Sequence, residues 1–246
     1  IIYIIYIIYI IYKMSKLNFL TFSNSSYMNT DIIKNQVIKM EMFDEILQYN
    51  ESNIEEFITK HNLFIKNNKS GYGLWIWKPK IIYNILNKMN NDDILVYADT
   101  GIYVNKNGKE RFKYYLEKLK QKDIVTFSTS HMYKAQHYVK NDAIMSYYPQ
   151  FNKEMSNYCY AGIMIIKKTN NTIKLIKEWM ELCENYHFLD KSPSIKYKEL
   201  NHFIGNDNDN GLFNLCLSKF KIHYPIYPDE INLYNNRGVQ VEHLNI

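Results

Sequence analysis

Asp99 closes the apolar run Ile94-Leu-Val-Tyr-Ala98 and is followed by Thr100 and Gly101. A carboxylate at the carboxyl tip of a buried strand is placed to reach ribose hydroxyls, or a divalent cation bridging a diphosphate. The glycine beside it lets backbone approach such a ligand closely. On those three residues alone, Asp-Thr-Gly makes a turn after a strand equally well. Two more carboxylates, Asp207 and Asp209, lie in Gly205-Asn-Asp-Asn-Asp-Asn-Gly-Leu-Phe213. A carboxylate of this kind can take a proton from an attacking hydroxyl. The same Asp and Asn residues, standing before Leu212, Phe213, Leu215 and Cys216, are also good helix caps. Tyr72, Trp75 and Trp77 offer faces for stacking on a base or sugar, yet the alternation of the two tryptophans fits packing of a buried extended segment better. His131 and His137 are too far apart for one helical face and have no third ligand nearby, which argues against a metal site. There is no Gly-x-Gly-x-x-Gly and no P-loop lysine motif, which disfavours dinucleotide dehydrogenases and P-loop kinases.

These residues need a frame, and the hydrophobic periods supply one. Lys16 to Phe22 reads as a first strand. Ile33, Gln36, Val37, Met40, Phe43 and Leu47 then follow a helical spacing after the start signal Thr30-Asp31. A short helix follows near Ile54 to His61. Pro79 opens the next helix at a first-turn position it tolerates, with Ile82, Ile85, Leu86 and Met89 as its apolar stripe. Asn90-Asn-Asp-Asp93 breaks it before the strand at Ile94. Phe112, Tyr115, Leu116 and Leu119 mark a helix, Ile124 to Ser128 a strand and Ala161 to Ile166 another. Ile173, Ile176, Met180 and Cys183 form the buried face of a long helix. Such alternation predicts an α/β fold with a mainly parallel central sheet flanked by helices, its ligands at the carboxyl ends of the strands. That rule points to residues 23–26, 99–101, 128–131 and the loop around the Ala161 strand.

A chain of 246 residues, 46% of them hydrophobic, is long enough for one sizeable core and short for two, so a single domain is expected. The charge of +5 comes almost wholly from lysines, with Arg111 and Arg237 the only arginines. The lysines are dispersed and form no nucleic-acid arm, so a phosphate-bearing small molecule suits them at least as well as nucleic acid. Cys159, Cys183 and Cys216 form no C-x-x-C pair, which argues against a disulfide scaffold or zinc site and suits a reducing, cytoplasmic compartment. Residues 1–12 repeat Ile-Ile-Tyr four times, a low-complexity run too short to span a bilayer as a helix, which needs about 20 residues. Met14 reads as the start of the folded chain, with residues 1–13 outside it.

The ordered segments Gly71-Tyr-Gly-Leu-Trp-Ile-Trp-Lys-Pro79, Tyr97-Ala-Asp-Thr-Gly101, Tyr160-Ala-Gly162, a helix carrying Trp179-Met-Glu-Leu-Cys183, and Asp209-Asn-Gly211 resemble a family of GT-A-fold sugar transferases. That family is seen in large DNA viruses, bacteria and some eukaryotes, and the resemblance spans nearly all of residues 16–225. A more distant similarity is to mannosyltransferase-like enzymes with an Asp-x-Asp motif. The resemblance implies a single glycosyltransferase domain over residues 14–246, moving a sugar from a nucleotide-diphosphate donor to a glycan or protein-linked acceptor; the dispersed lysines lead to no nucleic-acid partner being expected. It places Asp99 at the first acid of Asp-x-Asp, a donor contact and candidate metal ligand. Gly101 stands where the second acid would be, which weakens the case for a bound Mn or Mg ion. Lys78 matches the motif lysine and Lys140 a second recurring lysine, both candidates to neutralise the leaving diphosphate. Ala161 and Gly162 correspond to a small-residue platform with room for the donor sugar. Asp209 is the expected catalytic base, while Asn208 replaces the histidine that precedes it in the family. Gly101 and Asn208 keep open the alternative of a catalytically degenerate nucleotide-sugar or carbohydrate binder.

Overall fold

The computed structural model describes residues 15–25, 30–153, 156–226, 231–236 and 239–244. The Ile-Ile-Tyr repeat lies outside the described residues. The first strands are β1 (Leu17–Phe22), β2 (Glu45–Tyr49), β3 (Ile94–Ala98), β4 (Ile102–Val104) and β5 (Ile124–Lys134). They are followed by β6 (Asn157–Lys167), β7 (His223–Ile226), β8 (Ile231–Asn236) and β9 (Val239–Leu244). The helices that flank them are α1 (Thr30–Met40), α2 (Glu55–Lys60), α3 (Asn62–Asn67) and α4 (Lys78–Lys88). Further along come α5 (Lys109–Lys118), α6 (Asn141–Tyr147), α7 (Asn170–Glu184) and α8 (Asn208–Phe220).

The main sheet has the order β2-β1-β3-β6-β5-β7. β1 is parallel to β2 and β3, and β5 is parallel to β7, whereas β6 is antiparallel to both β3 and β5. Within this sheet β6 alone runs against the rest, which brings its beginning to the carboxyl end of β3, with Ala98 opposite Ile163. A second sheet, β4-β9-β8, has no counterpart in the sequence reading.

β1 is buried at every position, as a strand covered on both faces should be. Its residues divide between two cores with the period of a strand. Leu20 and Phe22 join Leu95 and Tyr97 under Ile81, Ile85, Trp179 and Phe213, on the face covered by α4, α7 and α8. Leu17 and Phe19 join Val96 and Ala98 against Ile33, Val37, Phe112 and Tyr115, on the face covered by α1 and α5.

Two local expectations are corrected. The helical spacing that runs on to Phe43 and Leu47 breaks at Met40: Glu41 turns left-handed at φ 49°, and Glu45–Tyr49 becomes strand β2. Pairing with β1, together with the Leu17 amide donating to Asp44 Oδ2 at 2.7 Å, outweighs the helical period there. The segment before Pro79 is not extended. It is a compact left-handed turn, and that turn builds the site.

Candidate active site

Gly71, Tyr72, Gly73, Leu74 and Trp75 have positive φ of 58°, 52°, 87°, 57° and 58°. The amides of Leu74 and Trp75 donate to the carbonyls of Ser70 and Gly71 at 2.8 and 3.1 Å, closing a turn of left-handed helix. For a residue with a Cβ this hand costs about 1–2 kcal/mol, so the glycines carry part of the turn, and they are also needed for space. A Cβ on Gly71 would lie 2.3 Å from the Trp75 ring, and one on Gly73 would lie 2.6 Å from Ile65 Cγ1. Burial of Leu74, Ile76 and Trp77 offsets the strain. Trp77 stacks on Phe22 at 3.9 Å and its indole donates to the Gly71 carbonyl at 3.0 Å, which ties the turn to the end of β1. We expect Gly71→Ala to destabilise the protein by about 2–4 kcal/mol, from strain and overpacking together. Urea unfolding checks this, and a loss within about 0.5 kcal/mol, the spread typical of surface changes, would contradict it.

The turn delivers Lys78 at the start of α4, where Pro79 fits the first turn as expected. Lys78 is only 3% exposed, so its ammonium must be paired inside the protein. Its Nζ lies 3.2 Å from Asp99 Oδ1, 3.3 Å from Asp99 Oδ2 and 3.4 Å from Asp209 Oδ2. It also donates to the Ala161 carbonyl at 3.4 Å and sits 5.8 and 5.6 Å from the ring centroids of Trp75 and Tyr97.

Asp99 arrives from the tip of β3. Its amide donates to the Gly162 carbonyl at 2.8 Å, and Ile102 donates back to the Asp99 carbonyl at 3.0 Å. The segment is therefore a turn and a charged site at once. Tyr97, fully buried two residues earlier, donates its hydroxyl to Asp99 Oδ1. The Asp99 side chain keeps 21% of its surface exposed. Gly101 lies in the same turn and is exposed.

Asp209 arrives from α8, which is buried at every position from Asn208 to Ser218. A helix buried all round must satisfy its polar residues internally. Asn214 clamps β6 by accepting from the Cys159 amide at 2.8 Å and donating to the Cys159 carbonyl at 2.7 Å. Asn210 accepts from the Ala161 amide at 2.8 Å and donates to the Tyr158 hydroxyl and Asp207. Asn208 donates to the Leu189 carbonyl at 2.8 Å. Asp209 breaks the pattern, because its Oδ2 is buried with no well-formed hydrogen bond and only the longer ion pair to Lys78. No side-chain cap bond forms at Asp207, the residue before this helix. Trp179 holds the backbone of Asp209 in place, its indole donating to that carbonyl at 2.9 Å. The missing Cβ of Gly211 is needed here too, since one would lie 2.4 Å from the Tyr138 carbonyl oxygen.

Charges in this cluster push one another. Burial is the main cause that raises the Asp209 carboxyl to about 7; Lys78 opposes it, and Asp99 and Asp207 add to it. Burial works against the Lys78 ammonium, but Asp209 and Asp99 outweigh it and hold the group above the ordinary lysine value. Burial, then Asp99, holds the Tyr97 phenol well above its usual range. One ammonium thus balances one carboxylate, and the second carboxyl is left poised to gain or lose a proton near neutrality. The residues fit a divalent ion poorly. Asp99 already binds Tyr97 and Lys78, Gly101 offers no carboxylate, and among the described residues no three His, Cys, Asp or Glu side chains group to hold a metal ion.

The structure brings Lys78, Asp99, Asp209, Ala161 and Gly162 together and leaves other candidates elsewhere. Lys140 is fully buried and donates to Asp190 Oδ1 at 2.6 Å, to Ser192 Oγ at 3.1 Å and to the His187 carbonyl. With Asp142, which accepts from the amides of Ile195, Lys196 and Tyr197, it ties down the segment 187–197. The room expected over Gly162 is taken by the Tyr160 ring, whose carbons come within 2.1 Å of where a Cβ would stand. Trp77 packs in the core, and Tyr72 is half-buried, its phenol raised by burial and by Glu51. The His137 and His202 ring centroids lie 5.4 Å apart, and the side chain of His131 lies outside the described residues. Tyr97, Asn210 and Trp179 are the residues to which sequence reasoning gave no part in the site, while Asp207 stood beside Asp209 there as a second carboxylate. For Tyr97 a signal exists: two residues apart on a strand, it shares a face with Asp99.

No family model matches this chain. No curated protein matches it either. Similar solved structures include the 4-diphosphocytidyl-2C-methyl-D-erythritol synthase of Anaerococcus prevotii, at 10% identity and a TM-score of 0.43, over 87% of this chain and 89% of that one. Mouse xyloside xylosyltransferase 1 is similar at 10% identity and a TM-score of 0.42, over 85% of this chain and 72% of that one. Glucosyl-3-phosphoglycerate synthase of Mycobacterium tuberculosis, solved with Mn2+, UDP-glucose and phosphoglyceric acid, is similar at 9% identity and a TM-score of 0.39, over 87% and 70% of the two chains. Among the described residues no helix is long and apolar enough to cross a membrane.

Proposed function

We propose that this chain is a glycosyltransferase that moves a sugar from a nucleotide-diphosphate donor to a hydroxyl of a glycan or protein-linked acceptor. The observation that carries the reading is the buried triad at the carboxyl end of the sheet: Lys78 between Asp99 and Asp209, each from a different element. A fold has no structural need for two carboxylates on one buried ammonium, and breaking hydrophobic cover to make such a cluster is costly. Clusters with perturbed protonation mark sites of chemistry.

In this reading the partly exposed Asp99 holds donor hydroxyls at the mouth of the site, and Tyr97 and Lys78 fix its orientation. Asp209 takes the acceptor proton. The bond from the anomeric carbon to the acceptor oxygen forms, the bond to the phosphate oxygen breaks, and its electron pair leaves with the nucleoside diphosphate. Tyr72, half-buried in the left-handed turn, stacks on the base in this reading, and donor entry over Gly162 requires the Tyr160 ring to turn aside.

Asp99→Asn tests the assignment. It keeps the shape and leaves Lys78 paired with Asp209, so the fold should survive while turnover falls by about 10²-fold or more. Wild-type turnover in that variant would end this assignment. The second reading is a non-catalytic nucleotide-sugar binder, favoured by Gly101 in place of a second acid and by the Tyr160 ring over Gly162. Release of nucleoside diphosphate from any of a panel of sugar nucleotides decides between them.

A further inference from the structure

We propose that Lys78 is the resident cation of this site, and that donor binding and transfer proceed without a divalent metal. The inference rests on the transferase reading and deepens it.

The geometry is that of an occupied cation position. The ammonium lies 3.2 and 3.3 Å from the two oxygens of Asp99 and 3.4 Å from Asp209 Oδ2, with the Ala161 carbonyl at 3.4 Å. A magnesium ion needs its oxygens at about 2.0–2.1 Å, and calcium at about 2.3–2.6 Å. An ion shared by Asp99 and Asp209 at those distances would compete with Nζ for the same carboxylate oxygens and crowd a second positive charge against it. The ammonium cannot easily step aside. Its stem is buried, the Trp75 and Tyr97 rings flank it, and the left-handed turn fixes the backbone from which it projects. Asp99 has little left to offer an ion on the inner side, because Tyr97 already donates to Oδ1.

Charge balances without a metal. Before transfer, Lys78, Asp99 and an ionised Asp209 sum to one negative charge. As the anomeric carbon leaves the phosphate oxygen, that oxygen keeps the electron pair and the nucleoside diphosphate gains one negative charge. The acceptor hydroxyl gives its proton to Asp209, and the triad becomes neutral in the same step. The negative charge moves from the triad to the leaving group and none is left over.

The test begins with the unaltered chain. Its melting temperature and its release of nucleoside diphosphate are measured with UDP- and GDP-sugars in EDTA and in about 1 mM MnCl2, an excess over any site with a micromolar Kd. The expected result is the same donor-induced shift and a rate within about twofold in both media. Donor binding and release that appear only with Mn2+ overturn the inference and leave the transferase reading standing. No response to any donor in either medium removes the reading, and the inference with it.

A second arm needs no donor. Lys78→Ala vacates the position between Asp99 and Asp209, so MnCl2 should raise the melting temperature of this variant by about 5 °C or more while leaving the wild type unchanged. A lysine that served packing alone predicts no such rescue. If the variant does not fold, titration of Mn2+ into the wild type, followed by loss of the free-ion paramagnetic resonance signal, still decides. Micromolar binding there would overturn the inference, and the absence of binding below about 1 mM would support it.

Discussion

Asp209→Asn is expected to reduce turnover by about 10²–10⁴-fold and at the same time to make the protein more stable at pH 8. The two effects share one cause. Burial raises the Asp209 carboxyl from 3.8 to about 7, so the folded protein holds a proton there that the unfolded chain releases. Stability linked to that proton is fully present below pH 3.8 and is lost as pH rises through about 7. Above pH 7 the wild type carries a buried carboxylate whose Oδ2 lacks a well-formed hydrogen bond. An amide has the same shape and no charge to desolvate, and the gain should be on the order of a few kcal/mol. Thermal unfolding of both proteins from pH 4 to pH 8 checks the sign, and the gap should open as pH rises. The activity of the wild type should rise over the same window, since only the ionised carboxyl accepts a proton. Parallel stability profiles for the two proteins would show that Asp209 is not the raised group.

Lys78→Met is expected to be among the most destabilising single changes in the chain, at about 3–5 kcal/mol. Methionine fills similar space, so packing changes little, but Asp99 and Asp209 lose the cation that balances them. Combining it with Asp209→Asn should recover part of the loss, because the two residues share one interaction and their effects cannot add. Denaturant unfolding of the two single variants and the double variant measures that coupling. If Lys78→Met costs less than about 1 kcal/mol, as an exposed ion pair would, the buried triad is not a real feature of the folded protein.

That Lys78, Asp99 and Asp209 of the candidate site could be singled out in sequence follows from each standing at a boundary that sequence can mark. Asp99 follows an apolar run, Lys78 precedes a proline at a helix start, and Asp209 stands before a buried apolar stretch. The alternation of strand and helix gave the mainly parallel sheet for the same reason: hydrophobic period reports burial. What periodicity does not report is which partner a segment finds. Phe43 and Leu47 keep the helical count of Ile33 and Val37, yet the open edge of β1 takes Glu45–Tyr49 as a strand. The reversal of β6 leaves no mark on its own residues, since a strand buried on both faces reads the same in either direction. Lys140 looks like a free cation in sequence. Only the fold reveals Asp190, Ser192 and the His187 carbonyl closing around it.

The left-handed turn at residues 71–75 has a consequence for how this chain tolerates changes of length. Five residues wind with the hand opposite to the helix that follows at Lys78. Each residue added or removed between Gly71 and Trp77 would rotate everything after it, carrying Lys78 away from both carboxylates and Trp77 away from Phe22. Side chains in this stretch can vary wherever the space and the hand allow. The number of residues cannot, so single-residue insertions and deletions here should be far more damaging than most substitutions, even though the stretch lies outside every long helix and strand.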